Sequence, residues 1–432
     1  MSDTDLTRGL TRRLIRNLSM QSMNQFVVII FSLVTMHQLA KHLNHEAFGG
    51  FTYVFSVLFF FLAVNDLGLQ TSLVREISQA PARTEELVQN AIGLRLTAAL
   101  CSVALGWLMA SWLPPAYRLA VRVSLVILPI QAFSVTAAIL GARIQIGRGA
   151  AVDIINRSVG FVLMMASLWA GEGLLFVVLS LVAGELAGAA TLIFLTRSVS
   201  APIPRFSWSI WRPMLRTSGP LCLQGLLNAM LVQFDRLMLE RLGGLSAVGI
   251  YGAAYRVPNL FERVPQMIMG TVFPVMSKLA VDDPAALRRL YRRTLAGMSL
   301  LAVPMLGVVI WLAPIIIHVL LNADYDESVP LMRIVILATA MLYPGICAGY
   351  VLIALRRTRD TLAVAAIAAG VNLVLNFLWI PAHGATGAAW ATVVGFAVLC
   401  LATMLVAETA LARAVAAKPG TLTTPAIEGA TL

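Results

Sequence analysis

Apolar runs of about 20 residues or more recur along almost the whole chain, and each is long enough to cross a bilayer as a helix. They fall near 19–39, 48–70, 88–112, 119–140, 151–171, 174–196, 214–240, 248–277, 294–321, 331–355, 361–380 and 385–412. The pattern predicts an all-α polytopic membrane protein with twelve transmembrane helices in two pseudo-symmetric six-helix bundles. The division into halves comes from self-similarity. At an offset of 200, Glu46–Phe51 falls on Ser246–Tyr251 and Lys41 on Arg241; at an offset of 212, Val159 falls on Val371 and Leu163 on Leu375. Tandem repeats of this kind are a transporter architecture, with the substrate path between the halves. The expected organisation is a cytoplasmic N-terminal segment over 1–18, an N-terminal lobe over 19–196, a basic, Pro-containing connector over 197–213, a C-terminal lobe over 214–412 and a disordered cytoplasmic tail over 413–432. The connector reads as interfacial and partly amphipathic.

Helix breakers punctuate the second half. Pro258 and Pro265 lie in the eighth span, Pro304 and Pro314 in the ninth, and Pro344 with Gly345 in the tenth. Proline removes a backbone donor and can kink a spanning helix, either as a static bend or as a hinge for alternating access.

Composition agrees with the membrane reading. Of 432 residues 59% are hydrophobic and only 12% charged, and the mean hydropathy of +0.83 is far above that of a soluble domain. A formal charge of +11 would fit a nucleic-acid partner if the basic residues shared one face. They sit instead in short clusters between spans, so no nucleic-acid partner is expected. One side holds Arg75 and Arg83; Arg143 and Arg148; Arg197, Arg205, Arg212 and Arg216; Lys278 with Arg288, Arg289, Arg292 and Arg293; and Arg356, Arg357 and Arg359. The other side holds only Lys41, Arg118, Arg122, Arg241 and Arg333. The positive-inside rule therefore places both termini in the cytoplasm. The basic start, Arg8 to Arg16, precedes a run as long as a full span with no small-residue cleavage site, so it reads as a retained first helix rather than a signal peptide.

Other features read as structural. Cys101, Cys222, Cys347 and Cys400 lie singly in different spans without metal-type spacing. Tryptophans such as Trp107, Trp112, Trp169, Trp208 and Trp211 fall near span ends, as an aromatic belt places them, and the five histidines lie at or beyond outer ends. No loop is long enough for a catalytic domain, and no phosphate-binding Gly-rich loop, nucleophile–base pair or metal set is present. The sequence predicts a protein that is not an enzyme and takes no cofactor.

Two stretches carry a family resemblance. The run Asn372-Leu373-Val374-Leu375-Asn376-Phe377-Leu378-Trp379-Ile380-Pro381, followed by Gly384-Ala385-Thr386-Gly387-Ala388-Ala389-Trp390-Ala391-Thr392, resembles the Asn-rich helix, Ile-Pro turn and small-residue helix of polysaccharide-export flippases in the multidrug/oligosaccharidyl-lipid/polysaccharide (MOP) superfamily. Near the start, Phe48-Gly49, Asp66-Leu67-Gly68-Leu69 and Val74-Arg75-Glu76 resemble the same family's first hairpin. The resemblance covers nearly the whole chain. It implies a MOP fold like that of the multidrug exporters, and a flippase that moves a sugar chain on a polyprenyl pyrophosphate carrier from the inner to the outer leaflet of the cytoplasmic membrane. Membrane lipids, a polysaccharide polymerase and chain-length proteins are the further partners it implies. The physics of the second stretch favours packing: Gly387, Ala391 and Gly395 form a small-residue stripe, and Asn372 and Asn376 share a helix face from which they can bond another helix.

Five arginines, Arg95, Arg157, Arg236, Arg256 and Arg263, fall inside predicted spans with Asp66, Glu185, Asp235 and Glu262. A central arginine costs about 2.5–3.5 kcal/mol to insert, so each must face a partner or water. Counting outward from the hairpin turns matches Asp66 with Arg95, Arg157 with Glu185, and Asp235 with Arg256 in depth, and each pair reads first as a structural ion pair. Arg236 and Arg263 are less well matched and are the leading candidates for an anionic ligand; a pyrophosphate suits arginine's fixed donor fork. The five arginines form the candidate substrate-binding set, and Asp66, Glu185 and Asp235 the candidate proton- or ion-coupling set. Alternatives are a multidrug or cation antiporter of the same superfamily, whose site should be acidic or aromatic; a lipid-linked cell-wall precursor flippase, which usually carries two further C-terminal helices; and a non-transporting scaffold of an envelope-assembly complex.

Overall fold

The computed structural model of the chain describes residues 27–42, 45–143, 146–321 and 323–416. The expected N-terminal segment, the start of the first span and the tail beyond 416 lie outside the described residues. Among the described residues fourteen α-helices follow one another: α1 Val27–His42, then α2 His45–Asp66, α3 Leu69–Gln79, α4 Thr84–Ala110, α5 Pro115–Ser124, α6 Ile127–Gln131, α7 Ala137–Ala142, α8 Ile146–Trp169, α9 Leu174–Thr196, α10 Trp208–Phe261, α11 Arg263–Asp282, α12 Pro284–Leu320, α13 Ser328–Ala354 and α14 Thr358–Ala416. No strand occurs among the described residues. Nine stretches among them are long and apolar enough to cross a membrane.

Two of those stretches fold back on themselves. α10 is interrupted at Gly244 (φ 72°) and α14 at Gly384 (φ 56°), a backbone region open to glycine and strained for other residues. Across Gly244 the Tyr251 hydroxyl donates to Asp235 Oδ2 at 2.5 Å. In an unbroken helix those residues would be about 24 Å apart, so the chain reverses there. Beyond Gly384, a Cβ on Gly387 would lie 2.3 Å from the Trp379 carbonyl oxygen, which marks the same kind of reversal. The α8–α9 hairpin closes differently. Gly171 (φ 75°) donates to Leu168 O and Glu172 to Ser167 O, a Schellman ending that stops α8 before Gly173 opens α9.

The fourth span, expected as one helix over 119–140, is broken into α5, α6, a 3-10 turn over Ala132–Thr136 and α7. Pro129 lies within α6 and cannot donate to the Leu125 carbonyl four residues back, which accepts instead from the Leu128 N–H at 3.1 Å in a 3-10 bond; the Leu128 carbonyl also accepts from Asn65 Nδ2 at 3.3 Å. The eighth span breaks at Glu262, between Pro258 and Pro265. Pro265 cannot bond the Phe261 carbonyl four residues back, and the Tyr343 hydroxyl donates to that oxygen at 3.1 Å. The same logic holds at Pro314: the Ile310 carbonyl it leaves open accepts from Arg333 Nε at 3.2 Å. These prolines therefore mark carbonyls bonded by side chains of α13. Tyr343→Phe should lower stability by about 1–3 kcal/mol, the cost of stranding a buried acceptor. A thermal midpoint in detergent equal to that of the unaltered protein would remove the assignment.

Contacts cluster into two compact units. The first comprises the chain up to Ala253 with Pro314–Val329 and Leu378–Ala388; the second comprises Ala254–Ala313, Pro330–Phe377 and the chain from Ala389. In the first, a core of Leu69, Leu73, Val88, Ile92, Ile139 and Met214 joins α3, α4, α7 and the start of α10. In the same unit α8 and α9 meet along a seam of small residues: a Cβ on Gly184 would lie 2.7 Å from the Asn156 carbonyl oxygen, and one on Gly188 would lie 2.9 Å from Asn156 Cβ. In the second unit Glu408 of α14 accepts from Arg288 and Arg292 of α12, each at 3.2 Å.

The connector is more firmly held than the sequence implies. Residues 200–207 are non-helical, and Arg205 N donates to Gln89 O (3.0 Å), Ser207 N to Asn90 Oδ1 (3.1 Å) and Trp211 Nε1 to Asn90 O (2.9 Å). Gly93 makes this approach possible, because a Cβ there would lie 2.0 Å from the Arg205 carbonyl oxygen. Asn372 and Asn376, expected to bond across helices, bond one another at 2.9 Å, since positions four apart on a helix are neighbours.

Candidate functional site

The Asp-Leu-Gly-Leu stretch is the turn between α2 and α3. Leu67 (φ 51°) and Gly68 (φ 64°) both lie in the left-handed region, and for leucine that conformation costs about 1–2 kcal/mol. The turn is fixed from outside: Leu69 is fully buried, and a Cβ on Gly68 would meet Leu221 Cβ at 2.5 Å. This strained corner presents Asp66 to Arg95 of α4, with Nη2–Oδ1 at 3.4 Å. The pair is lopsided, because the Arg95 side chain is 3% exposed and that of Asp66 51%. Arg95 also donates from Nε to the Asn65 carbonyl (3.3 Å) and from Nη1 to Ser134 Oγ (2.9 Å). A buried cation is thus surrounded by acceptors while its carboxylate remains accessible to water or a ligand.

That asymmetry has a consequence for substitution. Asp66→Ala leaves a buried guanidinium without its counter-charge, for which about 3 kcal/mol is expected, at the lower end of the range for a broken buried pair. Arg95→Met removes the buried charge with its desolvation cost and leaves a carboxylate already half in solvent, but it strands the Asn65 carbonyl and the Ser134 hydroxyl, so it should cost less than Asp66→Ala without being neutral. Chemical denaturation of the two variants in one detergent checks the order, and an equal or reversed order would contradict it.

Arg157 and Glu185 each occupy the twelfth position of their helices, α8 and α9. The depth match read from the sequence is therefore present, but the expected ion pair is not formed. Asn156 and the glycines Gly184 and Gly188 fill the seam, which turns the two charged residues to its flanks. Arg157 is exposed and Glu185 half-buried, and neither has an ion-pair or hydrogen-bond partner among the described residues.

Asp235 and Arg236 lie on the first limb of α10. Asp235 is buried, accepting from Tyr251 and, at Oδ1, from the Arg236 backbone N–H at 2.8 Å. Arg236 is 5% exposed, and its Nη1 donates to Gln233 Oε1. Arg256 and Arg263 are half-buried, belong with Glu262 to the second unit, and have interaction partners of their own. Of the expected pairs, the geometry thus forms Asp66–Arg95 and leaves Arg157 and Glu185 apart.

Glu240, which the sequence offers only as a poor match for Arg236 because it lies at a helix end, bonds elsewhere. Its Oε1 accepts from the hydroxyl of buried Tyr117, whose ring meets Tyr53 edge-on at 5.4 Å. The available signal was its spacing, one turn beyond Arg236 on the same face. Asn65 and Ser134, which share Arg95, carry no sequence signal at all, since only the fold brings them together.

Comparison with known proteins gives concordant matches. The sequence model of a family described as "Polysaccharide biosynthesis protein" matches residues 14–280, and a second, described as "MatE", matches 220–378. The succinoglycan biosynthesis transport protein ExoT of Rhizobium meliloti (strain 1021) is 25% identical over 385 residues, covering 84% of this chain and 76% of that protein. Among solved structures, the lipid II flippase MurJ in an inward closed conformation is similar with a TM-score of 0.76 at 14% identity, over 91% of this chain and 89% of that one. An inward-facing multidrug resistance MATE family transporter of the MOP superfamily gives a TM-score of 0.73 at 15% identity, over 91% and 96%. At such identities these structures establish the fold, a MOP transporter fold.

Proposed function

Because the chain belongs to the polysaccharide biosynthesis protein family, we propose that it is a flippase that moves a polyprenyl-pyrophosphate-linked oligosaccharide, a polysaccharide repeat unit, from the inner to the outer leaflet of the cytoplasmic membrane. The observation that carries the reading is Arg157, an exposed guanidinium halfway along a spanning helix with no partner among the described residues. Such a charge must face water or an anion, and a pyrophosphate offers oxygens that a planar donor fork can grip in pairs. Arg256 and Arg263 are further candidates to attract the anion, while Arg95 and Arg236, buried and tied to neighbouring groups, contribute their field more than direct contact. The polyprenyl tail stays in lipid.

Movement is by alternating access between lobes over 19–196 and 214–412, with both termini cytoplasmic. Coupling to a proton or ion gradient falls to Asp66, Glu185 and Asp235. Glu185 is the leading member, being mid-span and unpartnered among the described residues. A polymerase and chain-length proteins would take the sugar chain onward outside.

The test is mass spectrometry of polyprenyl-linked sugars from cells with and without the protein, together with a leaflet-accessibility assay. Accumulation of one lipid-linked oligosaccharide on the cytoplasmic side is the expected result, and it names the sugar. A second reading, a multidrug or cation antiporter, draws support from the MatE match over 220–378. Absence of accumulation together with new sensitivity to cationic compounds would establish it instead.

A further inference from the structure

We propose that the connector between α9 and α10 is a docking surface for anionic phospholipid headgroups. Arg197, Arg205, Arg212 and Arg216 are all exposed, no acidic residue lies anywhere in 197–216, and none of the four has an ion-pair partner among the described residues. Three other basic clusters differ, each holding at least one ion pair. There Arg83 pairs with Glu86, Arg288 and Arg292 with Glu408, Arg289 with Asp283, and Arg357 with Asp360. In the connector, by contrast, all four arginines are without an ion-pair partner among the described residues.

Two further features separate a lipid site from a solvated charged loop. The first is rigidity. Three hydrogen bonds tie the backbone of Arg205 and Ser207 and the indole of Trp211 to Gln89 and Asn90 of α4, and Gly93 admits the Arg205 carbonyl. The backbone that carries Arg205 is therefore ordered before binding, and what remains to be fixed is side-chain freedom. The second is the company they keep. Phe206 and Trp208 are 65% and 67% exposed in the same stretch, and the Arg197 guanidinium rests over the exposed Phe194 ring at 4.2 Å. Exposed aromatics beside unpaired arginines match a bilayer boundary, where rings enter the acyl region and guanidiniums reach phosphates. Free phosphate would use the charges and leave the rings in water.

The purified full-length chain, stripped of lipid in neutral detergent, is titrated with phosphatidylglycerol or with phosphatidylcholine of the same acyl chains and followed by native mass spectrometry. Phosphatidylglycerol should bind in preference. Each single Arg→Gln change in the four should weaken it about fivefold, and the combined Arg197→Gln/Arg205→Gln/Arg212→Gln/Arg216→Gln variant should erase the preference. Phe206→Ser/Trp208→Ser should weaken both lipids alike. Equal binding of the two lipids by the unaltered protein would overturn the proposal, as would a preference that survives the fourfold variant. Displacement of phosphatidylglycerol by inorganic phosphate alone would overturn it too. An equal loss in Arg356→Gln/Arg359→Gln would reduce the effect to overall charge and likewise end it. The single variants keep the test decisive if the fourfold variant fails to fold.

Discussion

Arg157→Ala is expected to lower export of the lipid-linked sugar by about 10- to 100-fold, the loss of one or two charge-assisted contacts to a phosphate worth about 1.5–3 kcal/mol. The amount of folded protein in the membrane should stay the same. The second half of that expectation is what makes the result informative. Most buried arginines fail ambiguously, because removing one also strands its acceptors, as at Arg95 with Asn65, Asp66 and Ser134. Arg157 has no such dependants among the described residues, and its removal takes a charge out of a spanning helix. Arg157→Lys should fall between the two, since it keeps the charge and loses the planar fork. Sugar export measured with protein level, across the three forms, checks the assignment. Undiminished export by Arg157→Ala would sink the ligand role. A parallel loss in protein level would make the residue structural.

The largest effect on stability is expected at Gly49. A Cβ there would lie 1.8 Å from the Leu245 carbonyl oxygen and 3.1 Å from the Gly249 nitrogen. Both are backbone atoms beside the Gly244 reversal and cannot move aside by changing rotamer. Gly49→Ala should therefore cost at least about 3 kcal/mol, the upper end of overpacking penalties, and remove most of the folded protein. Its neighbour supplies the control. A Cβ on Gly50 would meet only side-chain atoms, Leu174 Cδ2 at 3.1 Å and Leu245 Cδ1 at 3.9 Å. Leucine tips can shift, and alanine gains about 1 kcal/mol over glycine in a helix, so Gly50→Ala should come out near neutral. Detergent-solubilised yield and thermal midpoint of the two variants make the comparison. Equal behaviour of the two would mean that α2 does not approach the turn as described.

The contrast between those adjacent glycines shows what a sequence can and cannot carry. Both sit at the head of an apolar run, and the offset of 200 even places Gly49 on Gly249, the residue it lies against. Nothing in the run says which glycine meets backbone. The prolines behave similarly. Their positions were legible, and loss of a donor at Pro265 follows from chemistry, but that Tyr343 would fill the gap depends on where α13 lies. The broken fourth span was not legible, because a run of apolar residues reads the same whether continuous or divided by a 3-10 turn.

Length and hydropathy determined that this chain lies in a membrane as a series of helices, because a bilayer tolerates only backbone that satisfies itself within each span. Sequence also determined the depth of two pairs of charges, since in a hairpin distance from the turn sets height: Asp66 meets Arg95, and Arg157 lies level with Glu185. Which way each charge points was decided only by tertiary packing. Helices apolar on every side give no periodic cue to their contact face, so the small residues at Asn156, Gly184 and Gly188 set the seam and left Arg157 outside it.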